Sequence, residues 1–163
     1  MITLPISTAR PTRAQPQAEW PFLLPYAVYV VHTLEELPGF AAWASAHFGP
    51  ETTGAFAAYH IPLILLVGLT GWRAMRTGGR VWVVLATAFQ IQFGLNALFH
   101  LTVWAGTGDY SPGAVTGATV SIPATVYYLV WARRHRIATG RQVAAAAVIG
   151  ALIAAATIGF LFL

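Results

Sequence analysis

Apolar residues fill the chain in five long blocks separated by short polar connections, covering about residues 21–38, 54–72, 81–105, 111–131 and 143–163. The blocks are too continuous for the one-sided stripe of a surface helix. Each approaches the ~20 residues with which an α-helix crosses a bilayer. The pattern therefore predicts an all-α fold, a polytopic membrane bundle of five transmembrane helices forming one domain over residues 20–163. The first block is the most polar. After it, AAWASAHFGPETT reads as an interfacial half-turn with Trp43 and Phe48 at head-group level. The last block repeats small residues at Ala146, Gly150 and Ala154, a ridge suited to close helix packing.

Composition agrees with a membrane protein. Of the 163 residues, 57% are hydrophobic and only 9% charged, against the roughly 25% of a soluble domain. The mean hydropathy is +0.64. All nine basic residues are arginine, and they fall between the blocks without the aromatic interleaving of a nucleic-acid surface. No nucleic-acid partner is expected. With no cysteine, disulfides, thiol nucleophiles and thiolate metal sites are excluded.

The arginines also predict an orientation. Arg10 and Arg13 precede the first block, Arg73, Arg76 and Arg80 join the second to the third, and Arg133, Arg134, Arg136 and Arg141 join the fourth to the fifth. The other two connections hold Glu51 and Asp109 and no arginine. Positive loops stay inside, so the N-terminus is expected in the cytoplasm and the C-terminus outside, in a multi-pass protein of the cell membrane. Residues 1–19 lack the apolar core of a signal peptide and read as a disordered cytoplasmic tail.

Few ionisable groups fall within the blocks, and topology lets their depths be compared. At ~1.5 Å of rise per residue, Glu36, His60, Asn96 and Thr116 from four different blocks all reach about 21 Å above the inner face, with His32 and His100 about a turn away. Glu35 and Glu36 flank the face of His32, and Tyr29 lies on that face one turn below. Gln92, Asn96 and His100 form a second stripe at four-residue spacing. An ionised side chain at mid-bilayer costs at least ~2.5 kcal/mol on insertion scales, and adjacent glutamates repel each other as well. Protonation, pairing with imidazolium or a bound divalent cation each offsets that cost.

Three motifs occur in order: HxxEE at His32-Thr33-Leu34-Glu35-Glu36, NxxxH at Asn96-Ala97-Leu98-Phe99-His100, and PGxxT at Pro112-Gly113-Ala114-Val115-Thr116. In this combination, over about residues 22–131, the chain resembles the HXXEE-domain family of small bacterial integral membrane proteins. The resemblance implies a protein suspected of being an enzyme and points to His32, Glu35, Glu36, Asn96, His100, Pro112, Gly113 and Thr116. It supplies no substrate. His60 and Tyr29 rest on depth and helical face alone.

Three chemistries use such residues. In the first, His32 and Glu36 at i, i+4 hold a divalent Zn, Fe or Mn ion, with His100 closing the set and His60 in reach. Glu35 then serves as a supporting acceptor or general base, Asn96 orients a ligand, and Thr116 offers its hydroxyl. The outcome is hydrolysis or oxidation of a lipophilic substrate. In the second, a protonated glutamate and a histidine isomerise or cyclise an isoprenoid or sterol-like molecule without metal, with Tyr29, Tyr59, Phe99 and Trp104 facing cationic intermediates. The third is a carrier of protons or metal ions. It fits least well, because no polar path is evident toward the arginine-rich ends and no inverted repeat is visible. A metal-dependent membrane enzyme, with membrane lipid and a hydrophobic small molecule as partners, is the favoured expectation.

Overall fold

The structure is a computed structural model that describes residues 19–162. All of its regular elements are helical. A short 3-10 turn, Trp20–Leu23, runs directly into α1, Leu24–Glu36. The remaining elements are α2, Phe40–His47, α3, Thr53–Thr77, α4, Arg80–Thr107, α5, Ala114–Arg134, and α6, Gly140–Phe162. Helices α3 to α6 are each long and apolar enough to cross a membrane. Ile61, Leu65, Val126, Val148 and Leu152 stand exposed along them, as lipid-facing side chains do. This is a membrane protein. The tail expected over residues 1–19 lies, apart from Glu19, outside the described residues.

The long helices outrun their apolar blocks because capping residues set their ends. Thr52 accepts the Ala55 N–H at the start of α3, and Gly78 closes it in the left-handed region at φ 59°. A capping box between Thr139 and Gln142 starts α6. The first block behaves differently. Its α-helix has 13 residues, about 20 Å at the usual rise, short of a ~30 Å hydrocarbon core. Pro38 cannot donate to the ladder, and the chain turns at Pro38-Gly39 into α2. The expected half-turn after the first block is thus a two-turn helix. Trp43 is not a head-group aromatic: it is 8% exposed and packs with Phe40, Ala44 and Phe56.

Three apolar layers order the bundle. Phe22, Ala74, Val83, Tyr128 and Trp131 form a cluster at the arginine-rich end. Val28, Tyr29, Val67, Phe89 and Phe93 form the middle. Phe40, Trp43 and Phe56, with Phe99, Val103 and Leu161 against them, form the opposite end. Successive long elements therefore alternate in direction. Helix α4 is the axis, packing against α1, α3, α5 and α6. The small-residue ridge does what its spacing predicts: Ala146, Gly150 and Ala154 are buried, and a Cβ on Gly150 would lie 2.6 Å from the Ala88 carbonyl oxygen of α4.

Helix α5 contains one π turn, Gly117–Ser121, in which the Ile122 N–H reaches the Gly117 carbonyl. Pro123 follows and has no N–H to continue an α-ladder. The extra residue sits directly after Thr116, and such bulges concentrate at functional sites.

Candidate metal centre

Helical spacing brings the first two groups together. His32 and Glu36, at i, i+4 on α1, place Nε2 3.5 Å from Oε1. From α4, His100 brings its Nε2 to 3.1 Å from the same Oε1. The three residues are 3%, 4% and 1% exposed, and one ligand atom from each lies within 4.8 Å of the others. Asn96, one turn before His100, sets its amide nitrogen 2.9 Å from His32 Nε2. From α3, His60 faces the other carboxylate oxygen, Nε2 to Oε2 4.0 Å.

Each imidazole is steered from its far side. His60 Nδ1 donates to the Phe56 carbonyl at 2.7 Å; a carbonyl only accepts, so the neutral ring carries its lone pair on Nε2, toward Glu36. His32 Nδ1 meets Thr116 Oγ1 at 2.8 Å, and with the Asn96 amide donating to Nε2, the Nδ1–H is the donor there. His100 Nδ1 pairs with Ser111 Oγ at 2.9 Å. Three Nδ1 atoms point outward to oxygen partners and three Nε2 atoms point inward to one carboxylate. Metal-ligating histidines are held in this way, by an oxygen acceptor on the ring nitrogen that does not ligate.

Glu35, on the other flank of His32, faces α5. Its carboxylate accepts the Val115 and Thr116 backbone N–H groups at 3.1 and 2.7 Å, together with the Tyr110 hydroxyl. These are N–H groups of the first turn of α5, which lack intrahelical partners and attract negative charge. The Tyr110 phenol is pushed up to about 12 by burial and by the carboxylate beside it, so it remains a donor at neutral pH. Adjacent glutamates thus avoid repelling each other across one site: Glu36 enters the cluster, and Glu35 fixes the helix turn whose Thr116 steers His32. Gly113, at φ 100°, leaves α5 close against the cluster; a Cβ there would lie 2.7 Å from His32 Cε1 and 3.1 Å from His100 Cε1.

A cavity of about 360 Å³ adjoins the cluster. His32, Glu36, His60, Asn96 and His100 sit on its wall, and the rest is mostly apolar. That volume falls within the range of small-molecule pockets. Its far wall is the last part of α6, including Ile153, Thr157 and Phe160.

A family model described as a protein of unknown function with HXXEE motif matches residues 23–128. The chain belongs to the HXXEE family. Neither the curated proteins nor the solved structures include a match to it. In this HXXEE protein the named motif is two devices on one helix, His32 and Glu36 facing inward and Glu35 facing α5.

The structure brings together His32, Glu36, His60, Asn96, His100 and Thr116, and it sets Glu35 behind Thr116. Ser111 and Tyr110 were not singled out from the sequence; Ser111 opens the fourth apolar block and stands immediately before the PGxxT motif of this HXXEE chain. Polar side chains also continue toward the arginine-rich end, contrary to expectation. Gln90 donates to Thr125 Oγ1 at 2.9 Å, and Thr87 pairs with Tyr128 at 3.2 Å. They lie between α4 and α5, off the Gln92-Asn96-His100 stripe, and bond across the helix interface.

Proposed function

We propose that this HXXEE protein is a metal-dependent membrane enzyme acting on a lipophilic substrate, by hydrolysis or oxidation. One observation carries the reading: two imidazole Nε2 atoms and a carboxylate oxygen, all buried, converge beside an apolar cavity while hydroxyls hold the outer nitrogens of both rings. Two nitrogens and one carboxylate suit Zn, Fe or Mn, and catalytic sites keep a position beyond three protein ligands. His32, Glu36 and His100 would hold the ion, and His60 is a fourth group in reach. A divalent ion held there would supply Lewis acidity. Asn96, whose amide nitrogen meets His32 Nε2 at 2.9 Å, would release that lone pair to the ion and turn to a group bound beside it, and His60 Nε2 would serve as a proton acceptor. Glu35 and Ser111 position the ligating rings through α5 and the turn before it.

The proposal includes a topology. The 3-10 turn, α1 and α2 together make a first, bent crossing from the layer of Phe22 to that of Trp43, giving five crossings in all. The arginine-rich end faces the cytoplasm and the site lies in the outer half of the cell membrane.

Elemental analysis of detergent-purified protein tests the reading. About one Zn, Fe or Mn per chain is expected in the wild type and background in His32→Ala. Thr116→Ala and Ser111→Ala, which free one ring nitrogen each, are expected to keep the fold and to weaken metal affinity by about tenfold to a hundredfold, read by chelator competition. Wild-type protein that takes up no metal on reloading overturns the reading. It would leave the 3.1 Å pair of His100 and Glu36 as an acid and base for a metal-free isomerase or cyclase.

A further inference from the structure

The cavity wall can be accounted for group by group. Tyr59 donates to Glu51, Thr157 bonds back to its own helix, Asn96 contacts His32, and His60 is held by Phe56. Two polar side chains on the wall remain. Tyr29 and Gln92 are each 7% exposed, both line the cavity, and neither side chain makes a hydrogen bond among the described residues. Their polar atoms are not sealed within the protein, so on this mostly apolar wall they open to the cavity, where a ligand can pair them.

Their level in the bundle is defined. Tyr29 stands three residues before His32 on α1, and Gln92 four residues before Asn96 on α4. Both helices run away from the arginine-rich end, so the two form a second polar tier roughly one helical turn, about 5 Å, below the histidine cluster. Phe93 packs against Tyr29 at a centroid distance of 4.8 Å, and apolar residues such as Val67 and Phe89 surround the tier. A tyrosine hydroxyl and an amide NH₂ both donate to a carbonyl or hydroxyl oxygen, and neither side chain carries charge to hold an ion.

Access is lateral. Helix α6 packs along α4 and makes no comparable contact with α3. Ala156, Thr157 and Phe160 of α6 line the cavity and are exposed, and Tyr59 and Leu63 of α3, which line it from the other side, are half-buried. The cavity therefore reaches the surface between these helices.

We infer that the cavity binds a neutral, lipophilic molecule bearing a ketone or hydroxyl oxygen, which enters between α3 and α6 and is anchored by Tyr29 and Gln92 with a part about 5 Å away presented to Glu36 and the histidines. This substrate class rests on reading the cluster as a reactive site, but the binding tier is tested separately from the metal. Full-length protein in lipid nanodiscs is melted with increasing, equal mole fractions of bicyclohexyl or 4-cyclohexylcyclohexanone, which share one carbon skeleton. The ketone is expected to bind about tenfold more tightly in the wild type, the yield of one or two neutral hydrogen bonds. Tyr29→Phe and Gln92→Leu should each reduce that preference while retaining hydrocarbon binding and wild-type metal content; Tyr29→Phe removes a hydroxyl alone and preserves packing. Equal effects of the two probes on the wild type, including none from either, overturn the inference, as does a preference that persists undiminished in both variants. A ketone preference in protein that takes up no metal keeps the inference and ends the metal reading.

Discussion

Glu36→Gln is expected to give a folded protein that no longer retains a metal ion. Glutamine matches glutamate in volume, and its amide oxygen can still accept from His100 Nε2, 3.1 Å from Oε1 in the wild type. What is lost is the only negative charge among His32, His60 and His100, in a cluster where Glu36 is 4% exposed. At such low effective dielectric, a carboxylate stabilises a divalent cation far more than a neutral amide does. Loss of a supporting hydrogen bond typically costs 10–100-fold in metal affinity, and loss of the anionic ligand itself is expected to exceed about 100-fold. Wild-type protein should melt higher as zinc is added, by about 2.7 kcal/mol of added stability at a hundred times the dissociation constant, and the variant should show no such rise. Glu35→Gln is the paired control. Its carboxylate touches α5 and not the cluster, so that variant should keep its metal and lose stability of the order of a helix cap, about 1 kcal/mol. Equal metal content in both variants would remove Glu36 from the ligand set.

The contrast between the two glutamates marks how far the sequence could be read. Alternation of arginine-rich and arginine-free connections, with about 1.5 Å per residue, was enough to bring Glu36, His60, Asn96 and Thr116 to one level and His32 and His100 to within about a turn of it, because depth in a spanning helix depends only on position along it. Helical rotation was less informative. Glu35 and Glu36 lie on either side of His32, and no property of α1 decides which one enters the cluster. The decision comes from α5, whose unpaired N–H groups at Val115 and Thr116 draw one carboxylate away. Ser111 was missed for a related reason: its partner, His100, is reached only once the turn at Pro112-Gly113 is closed. The last stretch of α6 showed only small and apolar residues apart from Thr157, and its place on the cavity wall follows from tertiary packing along α4. Trp43 matched the composition of an interfacial belt, yet the break at Pro38-Gly39 turned α2 so that its indole was buried.

Gly113→Ala is expected to have the largest effect of any single methyl group in the molecule's functional half. At φ 100° the residue lies where an L-side chain is strained, a cost of about 1–3 kcal/mol. The added Cβ would also lie 2.7 Å from His32 Cε1 and 3.1 Å from His100 Cε1. These are not the free ends of flexible chains. His32 is tied to Thr116 and Asn96, and His100 to Ser111, so neither ring can yield without breaking a buried hydrogen bond. Overpacking of this kind costs typically 1–3 kcal/mol more. Together, a loss of about 2–6 kcal/mol in thermal or denaturant stability is expected, with metal binding weakened because the methyl group drives the two ligating rings apart. Gly106→Ala, in the last turn of α4 with nothing within 4 Å of its Cβ, supplies the comparison and should be neutral or slightly stabilising. If Gly113→Ala melts with the wild type and holds metal as tightly, the backbone at this turn adapts freely, and close approach of α5 is not what sets the distance between His32 and His100.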